Sequence, residues 1–532
     1  MIKQVDDFMS RHKAVSYAAA GILFVGMVLL VTVGCGTIHS GWHFVDDHEF
    51  LEWINPVREG RISAAGQMEY LFMNGFHGRF RPLYAPTRFL TILLFGTDIH
   101  SYAVLKAVET ILAFFLLFIL GEKLSGRFVP SVAFSLISLT GYQSAIWWKL
   151  GPQELQGTIS FALGMIFLEG WLQKEKKGHG VLSFFFFWMM SNWKESFVLL
   201  LPFVFVYVIY RTKDGKTENG IFTRCLCRMR MHWLYLSSVF LLFAAIIGII
   251  VFKIGTNESS GGGVSASIGI GTIINNYYYA AGHDLKYYAG VSAVLAAVLL
   301  TFWDDLKRMW KEILLLFIFI GPQLLLYGKE AMAERYIVPF SVGYGLFFII
   351  AVSNGRILAG KRKWVYQLAL LLLFALGFRT TLIEADYFRY RGESITSLMD
   401  YIRDVSQNDP SVTVMSCLGY SNPEADNTVA AWMEYYGEEE HMYYWDERDD
   451  TVRDFRAQAV EKDDAEYSLD EMDVVIAYNA TDRHYTGKCK PVREQLLESN
   501  YTLFTNGSVD IYVRNGMDIL APSADIKSSF YE

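Results

Sequence analysis

The feature that most constrains this chain is a series of long apolar runs almost free of charge. Two of them, AAAGILFVGMVLLVTVG (18–34) and LAFFLLFILG (112–121), approach or reach the ~20 residues a helix needs to cross about 30 Å of hydrocarbon. With 52% hydrophobic residues, 16% aromatic residues and a mean hydropathy of +0.24 over 532 residues, the chain is too apolar to be soluble. The first run follows a short head carrying Lys3, Arg11 and Lys13. Its apolar part, about 23 residues, exceeds a signal h-region and no A-x-A cleavage site follows, so it reads as a retained helix.

Apolar runs place about eleven spans at roughly 14–36, 99–120, 128–148, 153–172, 181–193, 196–210, 232–252, 288–303, 312–327, 336–353 and 364–383. The fifth and sixth are short enough to be the legs of a half-buried hairpin. Every second connection is basic: Lys123 and Arg127, Lys174 to Lys177, Arg211 to Arg230, Lys307 to Lys311, and Arg356 to Lys363. Cytoplasmic loops carry the Lys/Arg excess, which expects a cytoplasmic N-terminus and an extracytoplasmic C-terminal tail. The expected organisation is a polytopic α-helical membrane domain over 1–383, with external loops at 37–98 and 253–287, followed by a small extracytoplasmic α/β domain over 384–532. In that tail the runs SVTVMSCLG, MDVVIAYN and VDIYVRN read as strands, alternating with helix-like stretches near 391–406, 425–436 and 490–500.

Five cysteines are too few for a disulfide framework. Cys417 and Cys489 both fall in the tail, where pairing and free thiols are equally open alternatives. The net charge of −8 gathers in tail stretches such as YYGEEEHMYYWDERDD and gives no sign of nucleic-acid binding. Asn479-Ala-Thr and Asn506-Gly-Ser match the glycosylation sequon, a weak pattern that matters only in a eukaryotic secretory pathway.

Chemistry is concentrated in short polar clusters beside the membrane. Immediately outside the first helix, GWHFVDDHEFLEW sets Asp46, Asp47 and Glu49 within four positions. Packed carboxylates raise each other's pKa unless a proton, a cation or a metal relieves them, although an acidic helix cap is the plainer alternative. About 30 residues later, GFHGRFRPLYAPTRFL interleaves Arg79, Arg81 and Arg88 with Phe80, Pro82 and Tyr84. That pattern suits an interfacial helix, and guanidinium forks match phosphate oxygens, whether of a substrate or of anionic lipids. WWKLGPQE around Lys149 and Glu154, SNWKESF around Lys194 and Glu195, and KEAMAERYIVP around Glu334, Arg335 and Tyr336 complete the set. Charges at membrane depth usually mark a cavity or pathway, the alternative for Lys194 and Glu195 being an ion pair with each other. All five clusters fall on the same expected face, an arrangement that fits an enzyme drawing a lipid-phosphate-linked substrate from the bilayer.

At these residues the chain resembles the GT-C superfamily of membrane glycosyltransferases, especially the dolichyl-phosphate-mannose-protein-mannosyltransferase-like and aminoarabinose-transferase-like branches. The likeness covers the layout of the eleven helices and four short motifs. Asp46 and Asp47 stand where those families place an acidic pair at the start of the first external loop. Pro82, Leu83 and Tyr84 match the end of an H-P-P-L-Y-like stretch; Phe80 and Arg81 depart from its start. Lys194 and Glu195 ahead of Pro202, and Arg335 and Tyr336 ahead of Pro339, resemble the remaining two. The resemblance implies transfer, with inversion, of a sugar from a polyprenyl-phosphate donor to a glycan, lipid or protein acceptor. Asp46 would act as general base, with Asp47 tuning it or binding acceptor or metal. Arg335, Lys194 and Arg81, in that order, would steady the leaving phosphate, with Arg79, Glu195, Tyr336, Tyr84 and Glu154 around the substrate. A divalent metal between Asp46, Asp47 and Glu49 is left open, because the superfamily includes metal-dependent and metal-independent members.

Three other readings compete, of which a membrane anchor for a binding tail would leave the five polar clusters unexplained. A transporter or flippase would also need charged residues, but here they gather on one face and no inverted repeat of broken helices is visible. A polysaccharide polymerase or ligase would handle the same lipid-linked glycans. The glycine-rich loop GTNESSGGGVSASIGIGTIINNYYYAAGHD reads either as a lid with Tyr277, Tyr278 and Tyr279 stacking on sugar or as a linker ending in an interfacial tyrosine belt.

Overall fold

The computed structural model describes residues 2–44, 46–77, 79–212, 221–254, 270–283, 285–327, 334–353, 363–418, 423–436, 442–446, 451–454, 467–479, 482, 490–498, 500–517 and 526. The glycine-rich part of the expected lid (255–269), Cys489 and two of the three residues of the Asn479 sequon lie outside them. The chain divides into two compact units. One comprises Met1–Leu30, Met68–Arg88 and Leu105–Glu384, the other Val31–Gln67, Phe89–Val104 and Ala385–Glu532. The break at 384/385 falls inside the helix Lys363–Asn408.

Helical segments lie in the expected spans, two of which, 128–148 and 196–210, are each broken into two pieces. Among the described residues six are long and apolar enough to cross a membrane: Lys13–Thr32, Ile99–Ser125, Glu154–Lys174, Trp233–Ile254, Glu334–Ala351 and Trp364–Asn408. Phe128–Leu139 is shorter and gives way to a 3₁₀ turn over Tyr142–Trp147 where one longer span is expected. Large apolar side chains on these helices face outward, including Ile22, Leu300 and Phe317, as they do where a helix meets lipid rather than water. The chain is an integral membrane protein.

Small residues let helices in the first unit approach closely. A Cβ on Gly157 would come within 2.2 Å of the Phe197 ring, and one on Gly164 within 2.7 Å of Phe187. A buried charge is handled by full satisfaction: Glu169 accepts from the Tyr207 hydroxyl at 2.6 Å and from the Arg211 fork at 2.9 and 2.7 Å. A separate apolar core joins Phe302, Met309, Phe348, Ala351 and Tyr366.

In the second unit the tail forms a six-stranded sheet of order β3-β2-β1-β4-β6-β5. The strands are β1 (Val414–Ser416), β2 (Met442–Asp446), β3 (Thr451–Asp454), β4 (Val474–Tyr478), β5 (Tyr501–Asn506) and β6 (Val509–Arg514). β1 runs parallel to both β2 and β4, and the remaining pairings are antiparallel. The three expected strands are β1, β4 and β6, which lie side by side in that order and are flanked by strands the sequence hides. β4 is buried along its whole length, as a central strand covered on both faces must be. The helix Pro423–Tyr436 accounts for one expected helical stretch, and Lys490–Glu498 for another. The Asn506 sequon sits in the β5–β6 turn with its asparagine buried, its amide directed to the Ser394 carbonyl at 3.4 Å.

Candidate functional site

In the first unit the site is organised by one extended residue. The helix Lys177–Trp193 stops at Lys194 (φ −162°, ψ 145°), Glu195–Val198 makes a single turn, and Pro202 opens the helix Leu201–Arg211. The break sends Lys194 and Glu195 different ways. Lys194 Nζ lies 2.6 Å from Glu154 Oε1, with the lysine side chain 7% exposed and the glutamate 0%. The expected alternative, an ion pair between Lys194 and Glu195, is therefore replaced by one with a residue 40 positions earlier. Lys149 pairs with Glu334 rather than with its own neighbour.

The Lys194 ammonium also stands 4.3 Å from the centroid of the Tyr336 ring, and the Arg335 guanidinium 5.3 Å from the same ring. Tyr336 is shared with an apolar cavity of about 280 Å³ walled by Ile137, Leu295, Phe340 and Leu373, with Gln143 and Gln323 among its few polar groups. Tyr277 lines the same cavity and donates to the Leu324 carbonyl at 2.6 Å, whereas Tyr278 is exposed. Two cations at an aromatic lip of an apolar cavity can hold a phosphate whose substituent is greasy.

The Leu83 amide donates to the Asn192 carbonyl at 3.2 Å, two residues before Lys194, and so fixes the Pro82-Leu83-Tyr84 turn beside the helix break. Arg81 stacks on Tyr84 at 4.8 Å, and the buried Arg88 hydrogen-bonds the Tyr84 hydroxyl. Arg79 lies in the tight turn before them, its amide donating to the His77 carbonyl at 2.6 Å. Around the lysine, Glu154 Oε2, Glu195 Oε2, Thr158 Oγ1 and Ser196 Oγ are buried without a hydrogen-bond partner among the described residues. Such orphaned oxygens suit a polyhydroxylated ligand. Thr158, Ser196 and Gln323 are absent from the sequence-based site, whereas Arg88 belongs to the arginine cluster read there. Gln323, isolated after Pro322 in an otherwise apolar run, is the one whose position carried a signal.

In the second unit the acidic turn is built on close backbone packing. A Cβ on Gly41 (φ +81°) would collide with the Thr396 hydroxyl, which accepts from the Trp42 amide at 2.7 Å. His43 stacks on Phe388 with centroids 3.6 Å apart, and its amide donates to Asp47 Oδ2 at 2.8 Å. Asp47 is buried at the start of the helix His48–Arg58 and spends that oxygen on the turn. Asp46 is half-buried with φ 64°, in the left-handed region that costs a residue with a Cβ about 1 kcal/mol and that concentrates at functional sites. The adjacent aspartates are thus given different work by the backbone.

One turn into the helix, Glu52 is pushed up to about 7 by burial first and then by the Glu49 and Glu434 carboxylates, although the residue still meets solvent. Among the described residues no three His, Cys, Asp or Glu side chains come together in a group able to hold a metal ion, Asp46, Asp47 and Glu49 included. The turn that directs Asp47 back to the His43 amide accounts for this.

No family profile and no curated protein matches the sequence. Solved structures that this chain is similar to include ArnT from Cupriavidus metallidurans in the apo state, with 10% identity over 93% of this chain and 98% of that one at a TM-score of 0.48. The same protein bound to undecaprenyl phosphate is similar at 10% identity over 94% of this chain and 99% of that one, TM-score 0.45. The Archaeoglobus fulgidus oligosaccharyltransferase in the apo form is similar at 10% identity over 94% of this chain and 75% of that one, TM-score 0.46. At such scores the roles of individual residues rest on the geometry above.

Proposed function

We propose that this protein is a membrane glycosyltransferase that moves a sugar from a polyprenyl-phosphate donor to a glycan, lipid or protein acceptor outside the cytoplasm. The observation that carries the reading is Tyr336, one ring that faces an apolar cavity, the buried Lys194 ammonium and the Arg335 guanidinium together. An isoprenoid chain fits the cavity, and its phosphate fits the cations.

In the proposed reaction the acceptor oxygen forms a bond to the anomeric carbon as the bond from that carbon to the phosphate oxygen breaks. Asp46 takes the acceptor proton. Polyprenyl phosphate leaves carrying the electron pair, its growing charge met by Arg335, Lys194 and Arg81 in a site largely shielded from water. A single displacement inverts the anomeric centre. Asp47 holds the turn that presents Asp46, and the buried oxygens of Glu154, Glu195, Thr158 and Ser196 accept and donate to sugar hydroxyls. The basic connections assign the N-terminus to the cytoplasm and the tail to the outside.

The test is transfer of radiolabelled sugar from a panel of polyprenyl-phosphate sugars, in membranes holding the wild type or Asp46→Asn at matched expression. The expected result is transfer from one donor that falls about 10²–10⁴-fold in the variant. Transfer unaffected by Asp46→Asn would overturn the base assignment. No transfer from any donor, with lipid-linked sugar building up on one side of membranes lacking the protein, would favour a transporter or a ligase.

A further inference from the structure

A second cavity, of about 140 Å³, opens among the helices Leu201–Arg211, Ile221–Met231 and Trp310–Tyr327, away from the residues of the proposed reaction. Arg224, Arg228 and Lys311 border it together with Tyr210 and Trp310, and Leu314 continues its wall one turn into the apolar helix. The three cations come from two different helices and converge on one small volume. Arg228 is fixed there by donating to the Ile209 carbonyl at 2.9 Å. The nearest carboxylate in sequence, Glu312, is buried and accepts from the Tyr210 hydroxyl at 2.9 Å, and Arg224 and Lys311 at the cavity are exposed to solvent.

The level of this cavity follows from the tryptophans. Trp233, Trp303, Trp310 and Trp364 are all exposed, and each stands at the first residue of its helix or one beyond it. Each also borders a connection rich in Lys and Arg. Exposed indoles in that setting mark the headgroup layer of a bilayer, where a ring can be half in hydrocarbon and half in water. Trp310 is both part of this belt and part of the cavity wall. The cavity therefore combines three cations at headgroup depth with an apolar wall leading toward the acyl region.

We propose that this cavity binds the phosphate of an anionic membrane phospholipid, with its acyl chains lying along Leu314. Basic pockets between transmembrane helices recognise lipid headgroups by this combination of charge and adjoining apolar surface. A free phosphate would use the cations but gain nothing from Trp310 and Leu314. Neither the sugar donor nor the acceptor is needed for this binding, so it stands apart from the proposed reaction.

Native mass spectrometry of the full chain in detergent micelles, titrated with phosphatidylglycerol or phosphatidylcholine, tests it. The wild type is expected to retain one phosphatidylglycerol in preference to phosphatidylcholine. Arg224→Gln with Lys311→Gln, both exposed positions whose loss leaves the helix anchor at Arg228 intact, should weaken that retention roughly thirtyfold, about fivefold for each charge removed. Lys176→Gln with Lys177→Gln removes equal charge from another basic connection and should leave it unchanged. Equal retention of the two lipids, or equal weakening by both double variants, would overturn a built site. Displacement of the lipid by millimolar inorganic phosphate would show a free-phosphate site and overturn the lipid assignment.

Discussion

Removing the lysine of the buried Lys194–Glu154 pair should cost far more than removing both charges together. Glu154 is fully buried, one of its oxygens already lacks a hydrogen-bond partner among the described residues, and Lys194 at 2.6 Å is the cation that satisfies the other. Lys194→Met leaves a carboxylate with no compensation, a change that costs about 3–5 kcal/mol in such sites. With Glu154→Gln added, no charge is stranded and the cost should drop to about 1–2 kcal/mol. The double variant is therefore predicted to be ~2–3 kcal/mol more stable than Lys194→Met, with Glu154→Gln alone, which strands the lysine, completing the cycle, measurable by reversible unfolding in mixed micelles with increasing sodium dodecyl sulfate. Additive single costs would refute the pairing. The same proteins serve in the transfer assay, where all three variants should be inactive. If the double variant recovered both stability and transfer, Lys194 would act only as a counter-ion to Glu154, and its contact with the leaving phosphate would be wrong.

Three further outcomes are expected. Asp46→Gly should stay folded, because glycine accepts φ 64° without the penalty and so offsets part of what the lost carboxylate contributed, yet lose transfer; transfer retained in a folded glycine variant would refute the role of Asp46 as base. Gly157→Ala should destabilise by about 1–3 kcal/mol through its clash with the Phe197 ring, and Phe197→Leu should recover part of that in thermal melts; an alanine variant as stable as the wild type would mean the two helices can separate freely. Glu52, held protonated up to about 7 in the folded chain, favours folding below its ordinary value of 4.5 and ceases to do so as pH rises through 7. Melting temperatures at pH 5 and pH 8 should therefore show Glu52→Gln gaining on the wild type only at the higher pH; a constant difference would place Glu52 in an ordinary solvated environment.

The sequence made the helices legible because each apolar run is both a helix former and an anchor. Charge partners were less legible, since separation along the chain does not report proximity. Lys194 has Glu195 beside it, yet a single extended residue at the break turns it to Glu154. Half the sheet escaped for two different reasons. β2, MYYWD, lies inside a charged run whose composition suggested a solvated segment, although its residues alternate between buried and half-buried as a strand must. β5 begins three residues after the helix Lys490–Glu498 ends, too short a gap for the periodicity to change visibly. Asp46 and Asp47 were equivalent by type, and only the left-handed backbone at Asp46 and the His43 amide at Asp47 tell them apart.

The ion pairs of the first unit also bear on how the chain is made. Glu154–Lys174 and Glu334–Ala351 are the least apolar of the six long helices, at mean hydropathies of 1.3 and 1.2 against 2.6 for Trp233–Ile254. Glu154 leaves the ribosome 40 residues before Lys194, and Lys149 leaves it 185 residues before Glu334. Each charge must therefore be held near the lipid or in the translocation machinery until its partner has been synthesised. Segments committed in strict order would leave a carboxylate or an ammonium unpaired at the membrane boundary. Biogenesis of this protein is thus expected to proceed by delayed, grouped insertion of the helices from Glu154 to Arg211, with Lys149 settling last, when Glu334 arrives.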